Sequence, residues 1–368
     1  LSFFHFLTPR ALGRTPVWRG GCHPSGMPRW TLPALAACTA VTLIQIGLHT
    51  PAPADDAPPH HVRGGGFRNL DPRYSYPLLL RARHVFRASP RRGPAPLVLA
   101  NDGVELRANG HHPTVTWVGH STFLIQVDGI NILTDPHWGE RTSPVSFAGP
   151  RRLVPPGIAF ADLPPIDVVV ISHDHYDHLD RDTVRRLARE HRPTFFVPLG
   201  LKAWLADNGV DESVEMDWWE SRRFRGLTIT CTPAQHSSGR GLHDQNQRLW
   251  SSWMVTGRSR SVFFAGDTGY TPLLREIARR LGSPDLAALP IGGYSDYRVH
   301  HPNHLNPEEA VQVFEELGAR LLVPMHWGTF NLNREPFREP PERLLAEALR
   351  RGLEDQIAIL SPGQTIPW

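Results

Sequence analysis

From residue 114 onward the chain alternates between two hydrophobic periods. Val168-Val169-Val170-Ile171 is an unbroken β-branched run with no helical spacing, and it predicts a buried strand. Leu227–Cys231, Ser261–Ala265 and Leu321–Met325 are further strand-like runs. Thr114–Val127 and Ile130–Thr134 flank Asp128-Gly129, a dipeptide that suits a tight hairpin turn. Helical spacing appears at Asp182–His191, Pro272–Leu281, Pro307–Leu317 and Pro341–Arg351. Before the third of these, Asn306 reads as an N-cap, Pro307 suits the first helical position, and Glu309 completes a capping-box-like pair. Ala310, Val311, Phe314 and Leu317 form its apolar stripe. Strands alternating with helices predict an α/β protein, and 368 residues can bury a large core in one or two domains. No repeat occurs at solenoid or propeller periods.

The ends of the predicted strands carry the candidate chemistry. Ser172-His173-Asp174-His175-Tyr176-Asp177-His178 follows directly on the 168–171 run and packs three imidazoles and two carboxylates into one short loop. Imidazole with carboxylate suits zinc, and a loop at a strand end lets such side chains converge. His236 follows the 227–231 run, Asp267 the 261–265 run and His326 the 321–325 run. Singly, each histidine reads more readily as a hydrogen-bonded structural residue, and Asp267 before Thr268-Gly269 as a turn residue. Together, four strand ends with ligand chemistry point to a metal centre. Cys231 reads as a small core residue of its strand rather than a nucleophile. His120 and Asp135 are candidates to orient a metal-bound histidine from behind, although Asp135 suits a turn before Pro136 equally well.

Across residues 64–345 the chain resembles the metallo-β-lactamase-fold hydrolases, and most closely the N-acylphosphatidylethanolamine-hydrolysing phospholipase D family. The His173–His178 element is general to that superfamily. Asp217-Trp218-Trp219-Glu220, Ala265-Gly266-Asp267-Thr268-Gly269-Tyr270 and His326-Trp327-Gly328-Thr329-Phe330 are narrower signals. The resemblance implies a four-layer αββα sandwich and two zinc ions. His173, His175 and His236 would hold one, Asp177, His178 and His326 the other, and Asp267 would bridge them. Two zincs about 3.5–4 Å apart can generate hydroxide from a shared water at neutral pH, so no serine or cysteine nucleophile is required. The family also places a histidine near the substrate phosphate at the position of His304. Here His304 precedes a predicted helix N-terminus, a location that favours anions. The implied activity is phosphodiester hydrolysis of a glycerophospholipid with phospholipase D regiochemistry at a membrane surface, in a family where homodimers occur. A dizinc lactonase or other carboxyl-ester hydrolase is the alternative reading, and a non-catalytic envelope zinc-binding protein is the reading from another class. Trp138, Phe147 and Trp327 are candidates to line an acyl-chain path.

The N-terminal region is of another kind. Residues 1–26 have no clear pattern and read as a misassigned upstream extension. Met27-Pro28-Arg29-Trp30, the apolar run Thr31–Leu48 and Ala52-Pro53-Ala54 predict a signal peptide or membrane anchor over 27–54, followed by a linker over 55–66 and the catalytic domain over 67–368. Export to the cell envelope or periplasm is the first expectation, and a cytoplasmic membrane-associated enzyme the second. Leu35-Ala36-Ala37-Cys38 resembles a lipoprotein site, but the apolar run continues past it. With Cys22, Cys38 and Cys231 the only cysteines, a processed chain would keep one, which excludes a disulfide framework. Net charge is +3, carried almost wholly by arginine, Lys202 being the sole lysine. Arginine pairs bidentately with phosphate, though biased composition accounts for the excess as well. No nucleic-acid-binding motif is present.

Overall fold

The computed structural model describes residues 57–71, 93, 95–241, 243–294, 302–330, 332 and 335–368. The chain divides into two units, Leu1–Ala52 and Pro53–Trp368, and the described residues belong to the second. The predicted upstream extension and the signal or anchor over 27–54 lie outside them.

Two mixed sheets face each other. In the first, the spatial order is β13 (Thr365–Pro367), β1 (Thr114–Gly119), β2 (Thr122–Val127), β3 (Ile130–Thr134), β4 (Val168–Val170), β5 (Thr194–Pro198) and β6 (Ser213–Met216). The second runs β12 (Leu321–Met325), β11 (Leu286–Pro290), β10 (Ser261–Phe264), β9 (Ser252–Thr256), β8 (Leu227–Thr232) and β7 (Ser221–Phe224). Pairing is antiparallel from β1 to β3 and from β7 to β10, and parallel from β3 to β6 and from β10 to β12.

Alternation along the strands makes the layers. Phe123, Ile125 and Val127 of β2 join the core between the sheets, whereas Leu124 joins an outer core. In β4, Val168 and Val170 point to the first core and Val169 to the second. Burial on both faces explains why this strand is an unbroken apolar run. The outer core is closed by α2 (Arg181–Glu190) and α3 (Lys202–Asp207), through Val184, Leu187 and Leu205. Beyond the second sheet, α4 (Leu273–Leu281), α5 (Pro307–Leu317) and α6 (Glu339–Arg351) pack side by side, with α5 over β11. A short α1 (Val104–Ala108) precedes β1. The arrangement is the expected αββα sandwich.

The sequence-predicted elements recur with small shifts, and one differs in kind. Thr114–Val127 is two strands, because His120 adopts φ 54° and reverses the chain, setting Gly119 opposite Thr122. A left-handed, non-glycine turn of this sort has no strong local signature. By contrast, Asp128 and Gly129 both take positive φ, 51° and 78°, as the hairpin turn requires. The Asn306 cap is a complete capping box, with bonds in both directions between Asn306 and Glu309. No described helix is long and apolar enough to cross a membrane.

Candidate metal centre

The directions of the strands bring the chemistry to one edge. The loop 172–178 leaves the C-terminal end of β4, His236 follows β8, Asp267 follows β10 and His326 follows β12. Asp135 follows β3 and His120 follows β1. Six strand ends therefore converge, and three of these residues carry positive φ: His120 (54°), Asp135 (34°) and His326 (64°). Backbone strain of this sort, of order 1–3 kcal/mol each, persists only where surrounding structure enforces it, and it clusters at functional sites.

All seven predicted ligands meet there, in two groups. His173 Nε2 lies 2.9 Å from His175 Nδ1, and His236 Nε2 lies 3.1 Å from that same atom. In the second group, the Asp177 Oδ2 atom is 3.4 Å from both His178 Nε2 and His326 Nε2. The Asp267 carboxylate stands between them. Its Oδ2 is 3.9 Å from His173, 3.6 Å from His236 and 3.2 Å from His178, and its Oδ1 is 3.2 Å from His326. His178 Nε2, His326 Nε2 and Asp267 Oδ1 are buried yet make no hydrogen bond among the described residues. Buried polar atoms normally find partners. A convergent set of such atoms of this chemistry fits cations held by imidazole and carboxylate.

The opposite ring nitrogens of His173, His178, His236 and His326 are engaged, which fixes those ring orientations. His178 Nδ1 bonds Asp135 Oδ2 at 2.7 Å, and His173 Nδ1 bonds Ser172 Oγ at 2.9 Å, which in turn bonds Asp135 Oδ2 at 2.5 Å. His236 Nδ1 donates to the Asn303 carbonyl (3.0 Å) and His326 Nδ1 to the Gly292 carbonyl (3.3 Å). Asp135 is thus both a residue of unusual φ and a support for one histidine of each group. His120 Nε2 bonds Asp177 Oδ2 at 3.0 Å, so this histidine also orients a predicted ligand. Asp174, the non-ligand carboxylate of the loop, braces it: it accepts from the Gly239 N–H at 2.7 Å and pairs with Arg248 at 2.9 Å.

Charge is unevenly shared in this cluster. Burial pushes His173 and His175 down, and His236 to about 3, so these imidazoles are neutral and their lone pairs available. Burial opposes charge on His178 and His326 too, but Asp267 and Asp177 outweigh it, raising His178 well above its ordinary value and His326 to about 9. Burial would raise the two carboxylates, yet His178 above all holds both well below their usual range. Protons and cations would therefore compete for the second group.

His304 lies just before α5 as predicted, with Nδ1 3.7 Å from Asp267 Oδ2 and its ring stacked 5.2 Å from that of His326. The three aromatic candidates for an acyl path are not brought together. Trp138 packs with the outer core and bonds the Ile158 carbonyl, Trp327 stacks on Trp117 against the inter-sheet core, and Phe147 is 82% exposed. Cys231 is fully buried and burial pushes its thiol well up, as befits a core residue.

Sequence reasoning missed a strap over the site. Asn69 brackets the backbone of His236, donating to its carbonyl at 2.7 Å and accepting from its N–H at 3.1 Å. The same segment is tied down by His60 and His61, whose Nε2 atoms meet the two Asp217 oxygens at 2.6 and 2.8 Å. Those separations are hydrogen bonds, shorter than the 2.9–3.4 Å spacing within either group of the centre. The adjacent histidines and the Asp217-Trp218-Trp219-Glu220 motif were visible, but nothing local links them.

Residues 130–327 match the Beta-lactamase superfamily domain. The N-acyl-phosphatidylethanolamine-hydrolyzing phospholipase D 1 of Caenorhabditis elegans is 44% identical over 241 residues, 62% of this chain and 68% of that protein. An uncharacterized protein of Mycobacterium tuberculosis is 44% identical over 318 residues, 83% of this chain and 84% of its own length. Among solved structures, a metallo hydrolase from Ignicoccus hospitalis superposes with a TM-score of 0.52 at 26% identity, covering 70% of this chain and 98% of that one. The chain is a metal-dependent hydrolase of the beta-lactamase superfamily, in the family of the N-acylphosphatidylethanolamine-hydrolysing phospholipases D.

Proposed function

We propose that the protein hydrolyses a glycerophospholipid phosphodiester, of the N-acylphosphatidylethanolamine kind, with phospholipase D regiochemistry at a pair of zinc ions. The observation that carries this reading is the Asp267 carboxylate, which stands 3.2 Å from His178 and His326 of one group and 3.6 Å from His236 of the other, with His304 beside it. His173, His175 and His236 would hold one ion, Asp177, His178 and His326 the other, and Asp267 both. When bound, such a pair lowers the pKa of a shared water and offsets charge developing on phosphoryl oxygens. His120 and Asp135 keep Asp177, His178 and, through Ser172, His173 aimed inward. His304, at the positive end of α5, is placed to contact or protonate a phosphoryl oxygen. The name of the Caenorhabditis elegans relative supports the substrate class. The apolar run at 31–48 supports export or anchoring at the cell envelope, where a membrane surface would supply substrate.

The test is mass spectrometry of products after the zinc-loaded protein meets N-acylphosphatidylethanolamine liposomes, with Asp267→Asn as control. N-acylethanolamine and phosphatidate from the wild type alone are expected. No release by a protein that binds two zincs would overturn the lipid reading. His304→Ala separates phosphodiester from carboxyl-ester chemistry. On the present reading it impairs phosphodiester cleavage while leaving metal content and lactone hydrolysis unchanged.

A further inference from the structure

Glu335 is a buried carboxylate that the reaction as described does not use. Its Oε1 accepts the Gly293 N–H at 2.7 Å, while its Oε2 is buried without a hydrogen-bond partner among the described residues. The carbonyl of that same peptide group, Gly292 O, accepts the Nδ1–H of His326. One flat peptide therefore joins a carboxylate on one side to a predicted ligand on the other.

We propose that Glu335 is a positioning residue for the metal centre, fixing the Gly292–Gly293 peptide and through it the aim and basicity of His326 Nε2. Two glycines flank this peptide because side chains would not fit. A Cβ on Gly292 would stand 2.0 Å from the His326 carbonyl oxygen, and one on Gly293, at φ 87°, would stand 2.8 Å from His304 Nδ1. Two glycines in sequence also leave the peptide plane free to rotate unless something holds it. Glu335 does so by the one hydrogen bond its N–H makes. In its ionised form this acceptor strengthens that bond and polarises the peptide, so the Gly292 carbonyl draws more firmly on the His326 Nδ1 proton. The effect is that of a carboxylate behind a metal-bound histidine, relayed across a peptide group. Because Gly293 abuts His304, the same anchor sets the spacing between His304 and His326.

The inference rests on His326 holding one of two ions, so its test reads binding of zinc alone. Stepwise zinc affinities are measured by chelator competition for the wild type, Glu335→Gln and Glu335→Ala, and the absorption of the cobalt-substituted proteins reports ligand geometry. Glu335→Ala is expected to weaken one of the two ions by on the order of 10-fold, leave the other unchanged and alter the cobalt spectrum. Glu335→Gln, which keeps an acceptor for Gly293 but no charge, falls between. Should Glu335→Ala not fold, a weakened single site in Glu335→Gln carries the test alone. Wild-type affinity and spectrum in the folded variants would overturn the proposal, as would equal weakening of both ions. A wild-type protein that binds fewer than two zincs would instead overturn the two-metal reading beneath it.

Discussion

Replacing Asp135 by asparagine should disable the centre without unfolding the protein, and the reason lies in proton positions. Oδ1 of Asp135 accepts from the Ser172 N–H at 2.6 Å, and Oδ2 accepts from Ser172 Oγ–H and His178 Nδ1–H. In the neutral imidazoles that metal binding requires, acceptance from all three leaves His178 Nε2 and His173 Nε2 as lone pairs facing Asp267. An asparagine nitrogen at the Oδ2 position would donate to His178 Nδ1 and drive its proton to Nε2. Turned over, the same nitrogen would meet the Ser172 N–H, donor against donor. The first arrangement removes His178 as a ligand in its ground state, and the second keeps its tautomer but loses the buried hydrogen bond to the Ser172 N–H. Loss of such a supporting group costs roughly 10–100-fold in metal affinity. Asp135→Ala goes further, because it strips the acceptor from three buried donors. Removing one partner of a buried ion pair such as Asp135–His178 costs about 3–5 kcal/mol, which lowers Tm by on the order of 10 °C. Zinc affinity by chelator competition and melting in excess chelator separate the two effects. Wild-type affinity in Asp135→Asn, or an unchanged metal-free Tm in Asp135→Ala, would refute the reasoning.

Protons and metal should compete for the second group. With His326 raised to about 9, apparent zinc affinity should climb as pH rises toward about 9, and zinc loading at pH 7 should release protons, measurable with an indicator in weak buffer. The metal-free protein should respond oppositely: the stability supplied by charged His326 is fully present below about 6.5 and is lost as pH rises through about 9, seen as a falling Tm in excess chelator. Gly292→Ala, which puts a methyl 2.0 Å from the His326 carbonyl oxygen, should displace that residue and cost about 1–3 kcal/mol, with one ion lost by metal analysis. Asp217→Ala frees His60 and His61, so limited proteolysis within 57–71 should accelerate; unchanged cleavage would remove the strap from consideration.

Some of this could be read along the chain and some could not. The capping box at Asn306–Glu309 and the hairpin at Asp128-Gly129 depend on residues at most three positions apart, so a linear reading suffices. The unbroken run at 168–170 shows a strand buried on both faces for the same reason. The turn at His120 was hidden, because the structure around it, not its own preference, holds φ at 54°. His120 N–H, for instance, bonds Thr329 Oγ1, 209 residues away. Asn69 and Glu335 had no local signal at all. Each acts on a backbone group that is distant in sequence, and backbone groups look alike in every residue.

By itself the sequence determined the ligand chemistry: imidazoles and carboxylates placed directly after apolar runs, where the end of a strand must expose them. It also determined the helix caps and the two-sided burial of β4, since these follow from spacing within a turn or two of chain. Only the tertiary structure decided that the ends of β1, β3, β4, β8, β10 and β12 share one edge, that Asp267 stands between the two histidine groups, and that Asp135 supports both. Strand order and direction set those distances. They come from the packing of two sheets against one core, a property of the whole chain that no short window of it contains.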